Sequence, residues 1–208
     1  IGHQVRGADE VPKHLSAARS LVGHLDLANT SYEHGRPNVS FVDPRCSHAD
    51  CSGFIDELLH HSYGWTPEQF KSSFGRERPT ADRYFDTIIK GEVFQHIDDF
   101  RQVRAGDILA VKYRHPKDKS TGHLMLVSGQ PHVMPSRDPI SQGTEQWEVP
   151  IIDSARSGHG KKDTRHGKGA DGKDHDGLGE GHLRVYSDRE GRIHGYTWSV
   201  TGKGFLDQ

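Results

Sequence analysis

The chain has 208 residues, a length that suits one domain with a hydrophobic core of its own. Its 27 basic and 29 acidic residues give a formal net charge of -2, so the charge gives no reason to expect a nucleic-acid partner. No stretch approaches the roughly 18 consecutive apolar residues of a transmembrane helix, and two cysteines are too few for a fold built on disulfides. We therefore expect a single domain over residues 1–208, with no transmembrane segment and no nucleic-acid partner.

Apolar residues near the start of the chain recur at helical spacing. They are Val11, Leu15, Ala18, Val22 and Leu25. This pattern predicts an amphipathic helix that runs to about Asn29. Further along, Thr66-Pro67-Glu68-Gln69 has the form of a capping box with proline at the first helical position, and Thr80 and Gly91 bound another short helix. We interpret residues 66–91 as a helical insertion.

The second half of the chain reads as strands. Residues 107–113, 123–128 and 147–153 are rich in strand-forming residues and are separated by polar turns. A hairpin follows, with its turn at Glu190-Gly191. Because helices come first and strands follow, the sequence predicts an α+β fold in which N-terminal helices pack on an antiparallel sheet.

The composition changes between Arg156 and Gly181, where Leu178 is the only large apolar residue among eight glycines and many charges. Such a segment cannot bury an apolar core, and we interpret residues 156–181 as a long mobile loop. Its histidines raise the possibility of a metal site. They are His159, His166 and His175, followed by His182. Their spacings match no ligand pattern, so the sequence predicts no metal.

Cys51 lies at the predicted start of a helix. Asp50 is a good N-cap residue, and the apolar residues after it continue on one helical face. The free N–H groups and the dipole of the first helical turn favour an anion there, and hence a reactive thiolate. Ser52 and Gly53 are small enough to let a substrate approach the sulfur.

Three other interpretations of Cys51 remain open from the local sequence. It could be an inert core cysteine, or it could form a disulfide with Cys46. Cys46, His48 and Cys51 together could also form part of a zinc site, although that set is one ligand short.

A nucleophilic thiol needs a base and a third group that orients the base. His123 opens a predicted apolar strand, and Asp153 ends the next one. Both could meet Cys51 at the helix start, with His123 as the base and Asp153 as its orienting carboxylate.

These residues resemble a known family. Asp50-Cys51-Ser52-Gly53-Phe54 resembles the Asp-Cys-Ser-Gly signature of the NlpC-type cell-wall cysteine peptidases, which have a papain-like α+β fold. Residues 104–109 resemble the Pro-Gly-Asp-Leu strand start of that family, and residues 122–127 resemble its strand with the catalytic histidine. Tyr32 and Gly35 resemble the tyrosine and glycine upstream of the nucleophile.

The chain also departs from the family pattern. Met125 replaces the usual glycine, and the helices of residues 66–91 lengthen the gap between cysteine and histidine. The third catalytic position is more often histidine in the family, so His159 is a rival to Asp153.

The resemblance implies hydrolysis of an amide bond in peptidoglycan stem peptides, between D-glutamate and a diamino acid. Cys51, His123 and Asp153 would form the catalytic triad of a thioacyl mechanism that needs no cofactor, and Tyr32, Ser52 and Gly53 would contact the substrate. It further implies a secreted, periplasmic or cell-envelope protein of bacterial type, with a signal segment that this sequence does not contain. The alternatives are a thiol acyltransferase or amidase acting on a substrate outside the cell wall, and a non-catalytic metal- or ligand-binding module.

Overall fold

The computed structural model describes residues 11–117, 120–169 and 171–207. Its helices lie in the first half of the chain and most of its strands in the second half, so the class is α+β, as the sequence predicts. The α-helices are α1 (Lys13–His24), α2 (Cys51–Tyr63), α3 (Pro67–Phe74) and α4 (Ala81–Lys90). Within the described residues, no helix has the length and apolarity needed to cross a lipid bilayer.

Local signals set the ends of these helices. The Asp50 side chain accepts a hydrogen bond from the backbone N–H of Gly53 at 2.8 Å and so caps α2. Gly64 ends this helix with a left-handed backbone, at φ 70°. Thr66 and Gln69 form the reciprocal capping box at the start of α3.

The strands form two sheets. The smaller sheet has the order β1-β3-β2 and consists of β1 (Thr30–Ser31), β2 (Asn38–Ser40) and β3 (Cys46–His48). The larger sheet consists of β4 (Ile108–Lys117), β5 (Ser120–Val127), β6 (His132–Met134), β7 (Glu145–Ala155), β8 (Gly177–Ser187), β9 (Ile193–Thr197) and β10 (Phe205–Asp207). Its order is β10-β9-β8-β7-β5-β4, with β6 paired to β7, and every neighbouring pair is antiparallel.

Strand β5 separates two hydrophobic clusters. Leu124 and Leu126 pack with the helices, whereas Met125 and Val127 belong to the second cluster, which consists mostly of side chains from the large sheet. This alternation follows from the two-residue period of a strand. Helix α2 therefore rests on β5 and β7, and its first residue comes close to the side chains of those two strands.

Three boundaries differ from the prediction. Helix α1 ends at His24 rather than near Asn29, because Leu25 has extended backbone and Asp26 then caps a short 3-10 helix at Leu27–Asn29. Strand β5 begins at Ser120, so His123 lies inside the strand and not at its start. Strand β7 likewise continues past Asp153.

The segment of residues 156–181 differs more strongly from its prediction. Its last residues belong to β8, and the side chains of His159, Asp163 and Arg165 are buried. The sequence predicts a mobile loop here because apolar residues are scarce, and that scarcity gives no sign of these buried polar side chains. This segment instead packs through polar groups.

Candidate active site

Cys51 occupies the first turn of α2, as the sequence predicts, and only 4% of its surface is exposed. The Asp50 carboxylate fixes this end of the helix. Its Oδ1 accepts hydrogen bonds from Gly53 N and Ser52 Oγ, and its Oδ2 lies 3.0 Å from His34 Nδ1. The thiol therefore sits at a rigid helix start, where a negative charge is favoured.

Ser52 and Gly53 contact the chain itself. The Ser52 hydroxyl donates to Asp50 Oδ1 at 3.1 Å. A Cβ at Gly53 would lie 3.2 Å from Asp50 Oδ1 and 3.3 Å from Pro37 Cβ. Packing at the start of α2 thus accounts for the small size of both residues.

His123 comes to Cys51 from strand β5. Its Nε2 donates to Asp153 Oδ2 at 2.6 Å, and the ring also forms a hydrogen bond with the Cys51 thiol, which leaves Nδ1 for the sulfur. Burial lowers the pKa of His123, but the negative charge of the Cys51 thiolate and the hydrogen bond to Asp153 outweigh burial and raise this pKa to about 10. The ring is thus positively charged at neutral pH.

Gly122 allows this placement of His123. Strand β4 passes so close that a Cβ at position 122 would collide with the backbone oxygen of Val111. Glycine is required here because of a close approach of backbone to backbone.

Asp153 is the side chain that forms a hydrogen bond with His123 Nε2. The Asp153 side chain is fully buried, and its Oδ2 also accepts a hydrogen bond from His159 Nε2 at 2.9 Å. The two histidines thus share one oxygen of Asp153, because both Nε2 atoms lie within hydrogen-bond distance of Oδ2. The geometry therefore gives the orienting position to Asp153 and makes His159 a partner of that carboxylate.

A buried pair, Asp163 and Arg165, holds Asp153 from its other side. Arg165 is 1% exposed and donates to Asp153 Oδ1 at 2.9 Å and to Asp163 Oδ2 at 2.8 Å. Burial raises the pKa of Asp153, but the charges of His159 and Arg165 and the two histidine hydrogen bonds hold it well below its usual range. The carboxylate is thus ionised and fixed in direction.

Each ring nitrogen of His159 lies next to a hydrogen-bond acceptor. Its Nδ1 donates to the backbone oxygen of Trp198 at 2.6 Å, while Nε2 faces the Asp153 carboxylate. Both ring nitrogens of His159 therefore face oxygen atoms. The buried cluster joins His123, His159 and Arg165 to the carboxylates of Asp153 and Asp163.

Trp198 covers this cluster. Its ring centroid lies 4.3 Å from that of His159 and 5.1 Å from that of His123. The indole thus shields the hydrogen bonds to Asp153 from water, which strengthens them.

Two tyrosines flank the thiol. Burial, followed by the negative charge of Cys51, raises the pKa of both Tyr32 and Tyr113. Both hydroxyls are therefore neutral donors at physiological pH. The sequence predicted Tyr32 at this site and missed Tyr113.

Two of the other interpretations of Cys51, the disulfide with Cys46 and the zinc site, find no support among the described residues. Cys46 and Cys51 are both free thiols, and the Cys46 sulfur lies 3.9 Å from the backbone oxygen of Asn38. His48 Nδ1 lies 2.6 Å from Ser31 Oγ. In the part of the chain that the structure describes, no three His, Cys, Asp or Glu side chains meet in a way that could hold a metal ion.

A cavity of about 1420 Å³ lies elsewhere, and Cys51, His123 and Asp153 are not among its lining residues. Its walls are mostly apolar and come from α4, β4, β8 and the segment before β4. Its size therefore carries no argument about the chemistry of the thiol.

Sequence reasoning missed the residues that support the triad: Asp163, Arg165, Trp198 and Tyr113. One signal was available, since Gly177, Gly179 and Gly181 alternate along β8. A Cβ at Gly179 would lie 2.5 Å from Arg165 Nε, and one at Gly181 would collide with Asp163 Oδ2. Alternating glycines in a strand indicate a close approach of other groups, here the buried ion pair.

Comparison with known proteins gives one informative match. No family model matches the chain, and no solved structure matches it. An uncharacterized protein of Acanthamoeba polyphaga mimivirus is 30% identical over 213 residues, a match that covers 95% of this chain and 92% of the relative. Because the similarity runs through nearly the whole of both proteins, the chain belongs to the same family as this mimivirus protein.

Proposed function

We propose that this protein is a papain-like cysteine hydrolase of the NlpC type, which cleaves the amide bond between D-glutamate and a diamino acid in peptidoglycan stem peptides. One observation carries the chemistry: the Cys51 thiol lies beside His123, and His123 Nε2 is bonded to Asp153 at 2.6 Å. The substrate rests on the resemblance of residues 50–54, 104–109 and 122–127 to that family. The relative is viral, and a cell-envelope location stays a prediction.

In the first step the Cys51 thiolate attacks the carbonyl carbon of the substrate amide, and the carbonyl oxygen becomes an oxyanion. The protonated His123 then gives its proton to the nitrogen of the leaving amine as the carbon–nitrogen bond breaks. The products are a free amine and a thioester on Cys51.

In the second step water hydrolyses the thioester. Neutral His123 removes a proton from the water, whose oxygen attacks the thioester carbonyl. The carbon–sulfur bond breaks, the carboxylic acid leaves, and Cys51 and His123 return to the ion pair. Asp153 keeps the imidazole in one orientation through both steps.

The oxyanion needs donors at the start of α2. The first N–H groups of a helix have no partner within the helix, and the N–H of Cys51 is one of them. In this proposal the neutral hydroxyl of Tyr32 is a second donor.

The test is incubation of the purified protein with disaccharide tri- and tetrapeptides from peptidoglycan, followed by mass spectrometry of the fragments. We expect cleavage at the D-glutamyl bond, a complete loss of cleavage in Cys51→Ala, and normal cleavage in Cys46→Ala, which removes the other free thiol. Full activity of Cys51→Ala would show the mechanism to be wrong. A reactive Cys51 without any released fragment would instead favour an amidase or acyltransferase that acts on another substrate.

A further inference from the structure

Arg156 follows directly after β7, the strand that carries Asp153. Between them, Ser154 Oγ donates to the backbone oxygen of Ala49 at 2.6 Å, two residues before the nucleophile. This buried hydrogen bond fixes the end of β7 against the start of α2. The backbone of Arg156 is therefore held at the mouth of the Cys51 site.

The Arg156 side chain is exposed and lies over the ring of Tyr32, with its guanidinium carbon 5.3 Å from the ring centroid. Tyr32 is itself close enough to Cys51 for the thiolate charge to raise its pKa. Geometry ties Tyr32 to the start of α2, because its ring centroid lies 5.3 Å from that of His34, whose Nδ1 lies 3.0 Å from Asp50 Oδ2. The tyrosine thus places the guanidinium near the helix start that carries the nucleophile. Stacking uses the flat face of the guanidinium and leaves its N–H edge free for a planar, bidentate acceptor.

Arg156 has no acidic partner among the described residues. The nearby carboxylates are engaged elsewhere, since Asp50 binds Gly53 N, Ser52 and His34, and Glu33 accepts from Ser31 Oγ at 2.5 Å. A stacked guanidinium near a nucleophile, without a carboxylate partner in the described part of the chain, is suited to a carboxylate that the substrate brings.

We propose that Arg156, held on the ring of Tyr32, binds a carboxylate of the substrate, so that the preferred substrates are amides with a free acid group close to the bond that is cut. This inference rests on the proposed function, because it assigns the substrate charge for the same site. It predicts that acidic substrates bind more tightly than their neutral amides.

The test uses two alkylating reagents that differ only in charge, the α-amides of N-iodoacetyl-glutamate and N-iodoacetyl-glutamine. Both modify Cys51, and only the first carries a carboxylate. We expect the native protein to react faster with the glutamate reagent, and Arg156→Gln to lower the ratio of the two rates by about three- to tenfold, the range of an exposed or half-exposed charged hydrogen bond. Arg156→Lys should keep part of the preference, because lysine keeps the positive charge but cannot form the bidentate contact of a guanidinium.

Arg189→Gln is the matched control. Arg189 is exposed in the turn between β8 and β9, at the opposite end of β8 from the residues that face Asp153. The Arg189→Gln variant should leave the ratio of the two alkylation rates unchanged. None of these variants changes His123, so its attraction for the negatively charged reagent is the same in all of them. An equal ratio in the native protein and Arg156→Gln would overturn the proposal.

A second arm separates this inference from the proposed function. Stem peptides with a free or an amidated α-carboxyl on D-glutamate are compared as substrates. A higher kcat/KM for the free acid, lost in Arg156→Gln, supports the inference, and equal values in both proteins overturn it. If no stem peptide is cut but the reagent preference depends on Arg156, the carboxylate site stands and the peptidoglycan assignment falls.

Discussion

At the scale of single residues, Asp153 helps to set the protonation state of His123 in the candidate site. Its two oxygens accept hydrogen bonds from His123, His159 and Arg165, all of them buried. These donors hold the pKa of Asp153 well below its usual range, so the carboxylate stays ionised and helps to keep His123 protonated. The protonation of His123 therefore depends on buried groups as well as on the thiol.

The charge of Cys51 and then the hydrogen bond and charge of Asp153 raise the pKa of His123 to about 10, so we expect Asp153→Asn, which removes the second contribution, to lower this pKa. His123 would then lose its proton at lower pH. The alkaline limb of kcat/KM, or of Cys51 alkylation, should move down by about one pH unit or more. Asp98→Asn, a change at a side chain that is 89% exposed, should leave the profile in place. An unshifted limb in Asp153→Asn would contradict the assigned role.

Arg165→Met should destabilise the fold strongly. It leaves the carboxylates of Asp153 and Asp163 buried without their counter-ion, a loss of about 3–5 kcal/mol in the free energy of unfolding. Urea denaturation measures this change. The control is Arg101→Met at an exposed ion pair with Asp99, which solvent screens and which should have little effect. Similar losses in both variants would argue against the buried pair as a support.

At the scale of elements, β8 is shaped to receive the segment of residues 159–165. Its glycines at 177, 179 and 181 lie every second residue, so they share one face of the strand. That face accepts Arg165 and Asp163, which larger residues would displace. The low apolar content of this stretch thus reflects a packed polar layer.

Gly179→Ala should therefore damage both stability and site. The added Cβ would lie 2.5 Å from Arg165 Nε and 2.8 Å from its Cδ. We expect a loss of about 1–3 kcal/mol in the free energy of unfolding and slower Cys51 alkylation. Gly23→Ala in α1 is the control, because nothing lies within 4 Å of its new Cβ and alanine favours the helix. Unchanged thiol reactivity in Gly179→Ala would contradict the coupling between β8 and the site.

The sequence was sufficient to predict those elements that depend on residues close together in the chain. The Asp50 cap, the Thr66 capping box and the strands around His123 and Asp153 rest on residues that are near each other in the chain. The partnership of Asp153 with Arg165 was not predictable, because it needs β7, β8 and the segment between them in register. Buried polar side chains of this kind leave no periodic pattern of apolar residues in the sequence.

At the scale of the whole molecule, the α+β class could be predicted because helices and strands occupy different halves of the chain. The two hydrophobic clusters on either side of β5 could not be predicted, because a strand with alternating side chains occurs in flat sheets and in curled ones alike. The residues of the candidate site were found in part through motifs, while their order in space came only from the fold.

A buried acid in α2 should make global stability depend on pH. Asp56 is 5% exposed and accepts a hydrogen bond from the Tyr84 hydroxyl at 2.7 Å. Burial raises the pKa of Asp56 to about 8, above its ordinary value of 3.8. The folded state then keeps a proton that the unfolded state has released, so the free energy of unfolding falls as pH rises from about 4 to about 8.

Asp56→Asn removes this titration. Relative to the native protein, the variant should gain stability as pH rises from 5 to 8, by about 1 kcal/mol or more, measured by urea denaturation at several pH values. Asp86→Asn, at a half-exposed pair with Lys112, serves as the control. Parallel stability curves for Asp56→Asn and the native protein would contradict the raised pKa.

The cover of Trp198 over the two histidines has a consequence for biosynthesis. The ribosome makes Cys51 early and Trp198 near the end, so a nascent chain carries the thiol long before its ring partners and their cover exist. The hydrogen bond between Leu178 N and Thr30 Oγ1, at 2.7 Å, likewise joins parts made far apart in time. Under the proposed function, the thiol and its histidine would come together only once the chain is nearly complete, so an unfinished chain would not act on amides around it.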